Sequence, residues 1–176
     1  MNLSIYIIFI SLVFSNYSII QSDSNVKYFG SHPMHSFSGW SSSITLLSEC
    51  NEDGFCDFTF KVPIISLNSG NDNRDSNMLN YLKVFSYPEI ILNVENFSIK
   101  EYSNEILSCE MIIAGMSQQI NISLSLLEIS KNQYRVNSFF TISLEEFNIE
   151  IPKLLFIPIN NEIKIEVDLL VEGDRY

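Results

Sequence analysis

Basic residues are scarce in this chain: 10 Lys and Arg stand against 21 Asp and Glu, a formal charge of −11 at pH 7. A surface of that sign repels nucleic-acid phosphates and anionic lipid headgroups, and no Lys/Arg cluster makes a local exception, which argues against nucleic acid as a partner. Glycine is also sparse. The six glycines stand singly, so no phosphate-cradling loop is present. With two histidines, His32 and His35, and no Gly-x-Ser-x-Gly, a serine-hydrolase triad has little to build on. Those histidines could supply two metal ligands, but a stable transition-metal site needs a third or fourth donor, and none stands nearby at ligand spacing. The expected inventory is therefore no catalytic residue, no metal and no cofactor. Paired carboxylates at Asp72/Asp75 and Glu145/Glu146 read as a helix start and a solvated strand end.

Charge is missing altogether from the first 22 residues, MNLSIYIIFISLVFSNYSIIQS. The apolar run Leu3 to Phe14 has the length of a secretory h-region and is too short to span a bilayer comfortably. Residues 1–22 are thus expected to be a signal peptide and 23–176 one exported domain, with no membrane span after processing. An uncut anchor through Leu3 to Ile20 is the competing reading. Export gives meaning to the three cysteines. Cys50 and Cys56 flank the turn-rich NEDGF and can face each other across a hairpin. A disulfide there closes a short loop and adds little by loop entropy. Cys109 shares parity with Leu107, Met111 and Ile113 and reads as a buried free thiol.

The dominant period of the rest is two. In FCDFTFKVPI, Cys56, Phe58, Phe60, Val62 and Ile64 share one face; in QINISLSLLEI, Ile120, Ile122, Leu124 and Leu126 do; Phe140 and Ile142 continue the pattern in YRVNSFFTISL. Such alternation means antiparallel strands with one dry and one wet face. About eight are expected, near 25–31, 37–48, 55–64, 89–98, 104–114, 117–129, 133–144 and 161–172. One short helical segment is expected near 72–85, capped by Asn71 or Asp72, with Met78, Leu82 and Phe85 at helical spacing. Eight antiparallel strands hide their dry faces in a closed barrel with room for side chains or one small ligand; a sandwich is the structural competitor. The stretch HPMHSFSGW reads as the corner between two strands. An offset of three puts His32 and His35 on opposite faces if the segment is extended, and Pro33 favours a bend.

HPMHSFSGW together with SLNSGNDNRDSNMLNYLKVFSYPEIIL resembles the YceI-like family of secreted lipid- or polyisoprenoid-binding proteins. The family pattern is carried here by Ser66, Ser69, Gly70, Asn71, Arg74, Asp75, Met78, Leu79, Tyr87 and Pro88. Gly115 resembles its glycine-centred hairpin, and Phe147, Ile149 and Pro152 its late segment. Gly115-Met116-Ser117 departs from the family's usual Gly-Val-Thr. The resemblance implies an eight-stranded, lipocalin-like antiparallel barrel with a helical segment, holding an apolar isoprenoid chain. The expected function is noncovalent carriage of an amphiphilic or isoprenoid lipid in a barrel cavity, without catalysis, by a secreted or periplasmic monomer or homodimer. A packed barrel with a structural or stress-related role and no ligand is the alternative. Pocket candidates are Phe58, Phe60, Ile122, Leu124, Phe140 and Ile142, with Trp40, Met78 and Leu82 at the mouth. The same side chains could instead fill the barrel. His32, His35, Arg74 and Asp75 are expected to be structural, the last two as a pair fixing the helix start.

Overall fold

Where apolar and polar residues alternate, the chain is extended. A computed structural model describes residues 17–99, 102 and 106–173; the apolar run Leu3 to Phe14 lies outside the described residues. The first strands are β1 (Tyr17–Ile19), β2 (Asn25–His32), β3 (His35–Ser41), β4 (Thr45–Cys50) and β5 (Cys56–Pro63). After helix α1 (Asp72–Tyr81) come β6 (Glu89–Phe97), β7 (Ile106–Ile113), β8 (Met116–Ser130) and β9 (Gln133–Ser143). A small hairpin, β10 (Lys153–Leu154) and β11 (Ile157–Pro158), precedes the last strand, β12 (Glu162–Gly173).

Ten of these strands form one antiparallel sheet in the order β3-β2-β12-β9-β8-β7-β6-β5-β4, with β1 also on β12. The sheet curls into a half-barrel. Its count exceeds the expected eight for two reasons. The segment 37–48 is broken at 42–44, where Ser43 N–H donates to Ser41 Oγ at 3.0 Å and turns the chain. Residues 17–19, which fall within the expected leader, form a further strand, paired with Val171–Gly173.

Two seams link the free edges. On one, Tyr17 N–H donates to Ser48 Oγ of β4 at 2.9 Å, so β1 links β12 to β4. On the other, Trp40 and Asn68 exchange backbone hydrogen bonds of 3.0 and 2.9 Å, which ties the β3 edge to the segment after β5. Each tie covers a point on an edge whose unpaired donors and acceptors would otherwise invite aggregation. Cys50 and Cys56 are directly opposed on β4 and β5, and their sulfurs are bonded.

The helix is shorter than the 72–85 expected from spacing. Asn71 Oδ1 accepts from Arg74 N–H at 3.0 Å and caps its start. Lys83, at φ 54°, ends it in the left-handed conformation. Phe85 therefore leaves the apolar face set by Met78 and Leu82 and is 97% exposed.

Candidate ligand cavity

Inward side chains of the curled sheet fail to meet at its centre. They enclose a cavity of about 590 Å³, within the range of roughly 300–1,000 Å³ common for small-molecule sites. Each strand supplies alternate residues: Phe58, Phe60 and Val62 from β5, Ile122, Leu124 and Leu126 from β8. Phe140 and Ile142 of β9 stand opposite Ile165 and Ile163 of β12 in the ladder, and all four reach the wall. Phe58, Ile122, Phe140 and Ile142 are buried, while Phe60 and Leu124 are partly buried and pack against that core. All six sequence-derived inward candidates thus line the cavity.

The helix closes over the cavity with Met78, Tyr81 and Leu82 on its wall. Trp40 does not join them. It lies on the outer face of β3, one residue out of phase with Phe37, and is half exposed. The reason is parity: His35, Phe37 and Gly39 take the inner positions of that strand, so Trp40 must point away.

His32-Pro33-Met34-His35 is a two-residue hairpin turn rather than an extended run. The turn reverses the chain, so the two histidines become directly opposed cross-strand partners, with ring centroids 5.4 Å apart. Both reach the cavity wall. His32 is buried and His35 exposed. Among the described residues no group of three His, Cys, Asp or Glu gathers at metal-binding geometry. Met34 N–H donates to His32 Nδ1 at 3.3 Å, and His32 Nε2 is buried without a partner.

Arg74 and Asp75 do not pair with each other. Both carboxylate oxygens of Asp75 accept from Ser69 N–H at 3.2 Å, which braces the loop before the helix. The Arg74 guanidinium instead lies over the Phe37 ring, 5.1 Å from its centroid, at the cavity wall. Helical geometry explains the split, because adjacent positions project about 100° apart. Phe37 rests on Gly30, whose missing side chain leaves the room the ring occupies.

Sequence reading missed Tyr28, Phe37 and Tyr81 on the wall. Tyr28 and Phe37 were legible in principle, as aromatics set against Gly39 and Gly30, a pairing that shields strand glycines. Burial, and then the charge of Asp75, hold the Tyr28 hydroxyl above the ordinary tyrosine range despite Ser69 and Arg74, so it stays a neutral donor. Phe147 is fully buried, and Ile149 and Pro152 reach the wall from the segment before β10. No helix among the described residues is long and apolar enough to cross a membrane.

The same architecture occurs in solved structures of low sequence identity. The polyisoprenoid-binding domain from Saccharophagus degradans implicated in plant cell wall breakdown superposes with a TM-score of 0.73 at 16% identity, covering 90% of this chain and 98% of its own. Burkholderia cenocepacia BcnA gives 0.72 at 11%, covering 86% and 98%. The Campylobacter jejuni YceI protein gives 0.58 at 12%, covering 100% and 94%. No curated protein matches the chain in sequence. The YceI-like domain model, however, matches residues 17–171, from the first described strand almost to the end of the last. With its motif, helix and curled sheet accounted for over that span, the chain belongs to the YceI-like family.

Proposed function

We propose that this protein is an exported carrier that holds one amphiphilic or isoprenoid lipid noncovalently in its barrel and catalyses no reaction. The observation that supports this most directly is the carbon-lined cavity of about 590 Å³. A barrel that only had to be stable would fill that space, because an apolar void forfeits the packing contacts of its lining. Burial of a ligand's apolar surface contributes about 25 cal/mol per Å² removed from water, so a chain-like lipid is a natural occupant. Polar side chains gather at the helix and β2–β3 turn, where a head can be oriented. Absence of catalysis rests on the sequence inventory and on the binding character of the family. Export rests on the uncharged, apolar N-terminal stretch and suits a disulfide at Cys50–Cys56. The carrier works as a monomer or homodimer in the periplasm or outside the cell.

Native mass spectrometry of detergent-free protein, followed by organic extraction, tests this reading. A lipid near one per chain establishes carriage and identifies the cargo. A chain that arrives empty and takes up no long-chain lipid on titration removes the carrier reading and leaves the structural one.

A further inference from the structure

Most of the cavity wall offers a ligand only carbon, and His32 is a buried exception with a fixed polarity. The residue is 5% exposed and lies on the inner row of β2 with Tyr28, two positions beyond Gly30. Its Nδ1 accepts the Met34 N–H at 3.3 Å. A nitrogen that accepts cannot carry the proton in the neutral ring, so the proton resides on Nε2. Nε2 is buried, meets no protein acceptor, and belongs to a side chain on the cavity wall.

An orphaned buried donor costs free energy that a ligand acceptor restores. We propose that His32 Nε2–H is the head-recognition donor of this cavity and that it selects lipids whose polar end presents a carbonyl oxygen. This deepens the carrier reading above and rests on it. The surroundings agree in sign. The Tyr28 hydroxyl is a second buried donor on the same wall, with Ser69 as its neighbour. Arg74, which has donors only, lies over Phe37, and Phe37 is 6.4 Å from His35 by ring centroids. An ammonium head would meet the cations Lys27, Arg74 and Lys153 on the wall and no carboxylate among the described residues there, with only neutral acceptors such as the amides of Asn73 and Asn77. A bare hydrocarbon would leave the donor unsatisfied.

The test uses probes of matched tail: methyl palmitate, hexadecane and hexadecylamine, each displacing N-phenyl-1-naphthylamine from the full exported chain. The wild type is expected to favour the ester over the alkane by about threefold to tenfold, the range of one net hydrogen bond, and to bind the amine weakest. His32→Phe should remove that preference, so that ester and alkane displace the probe with equal affinity. His32→Gln, which restores an N–H donor, should recover part of it, and separates loss of the donor from damage to the fold. Equal affinity for ester and alkane in the wild type overturns the proposal, as does an undiminished ester preference in His32→Phe. Failure of the wild type to bind any of the three overturns the carrier reading itself. Binding of the alkane without head discrimination overturns only the role of His32.

Discussion

Arg74 and Phe37 join helix to sheet: the guanidinium of one lies 5.1 Å from the ring centroid of the other. Phe37 is in turn seated on Gly30 across the β2–β3 ladder, so the cation rests on a ring that cannot sink. This is a direct side-chain tie between α1 and the hairpin at the mouth. Arg74→Ala is expected to lower unfolding free energy by about 0.5–2 kcal/mol and to speed exchange of a bound probe. Urea denaturation and stopped-flow displacement read the two effects. Unchanged exchange in a variant of reduced stability would show that the helix does not gate the cavity.

The β10–β11 hairpin carries Leu155 and Phe156 at its tip, both at positive φ, 52° and 67°. Two-residue turns of this kind favour Asn-Gly, because side chains with a bulky Cβ resist the left-handed region. The two side chains are 71% and 96% exposed, so they gain little packing in return. The double substitution Leu155→Asn, Phe156→Gly should raise stability by about 1–2 kcal/mol. Calorimetry would detect this as a higher Tm, and a lower one would contradict it.

Burial pushes the Cys109 thiol up to about 11, so the native chain should resist thiol reagents. At pH 8, maleimide labelling is expected only after denaturation, at one thiol per chain with Cys50–Cys56 left oxidised. The folded state prefers the protonated thiol. Its contribution to stability is therefore complete below the ordinary value of 9.0 and is lost as pH rises through about 11. Prompt native labelling would sink this expectation.

Gln21 holds the buried Ile44 by its backbone: Ile44 N–H donates to Gln21 Oε1 at 3.2 Å, and Gln21 Nε2 donates to the Ile44 carbonyl. Tyr17 meets Phe58 edge-on at 5.3 Å. A chain starting at Asp23 loses both, along with the β1 ladder. It should be less stable by about 3 kcal/mol. Urea unfolding of chains starting at Tyr17 and at Asp23 checks this. Undiminished stability of the shorter chain would contradict the prediction.

Strand positions and wall residues were legible because alternation is a local signal. Phe58, Phe60, Ile122, Leu124, Phe140 and Ile142 needed only the two-residue period to be placed inward. Local signals fail where direction changes. HPMHSFSGW was read as a strand corner and is one, but spacing did not show that the turn at Pro33-Met34 makes His32 and His35 direct cross-strand partners. Trp40 was placed at the mouth by proximity to that stretch, but its parity on β3 points it outward. Tyr17–Ile19 was not expected to be a strand, because no local pattern announces pairing with Val171–Gly173 at the far end of the chain.

The amino-acid sequence alone determined that this is an antiparallel β protein with one capped helix, since both follow from side-chain spacing and from turn and capping residues within a few positions. Whether the inner faces meet or stand apart depends on sheet curvature and on the two seams, which join residues as distant as Tyr17 and Ser48, or Trp40 and Asn68. Only the tertiary structure decided that a cavity remains and that His32 Nε2 lies buried on its wall without a partner. Burial is set by what arrives from other strands, and spacing along one strand does not encode it.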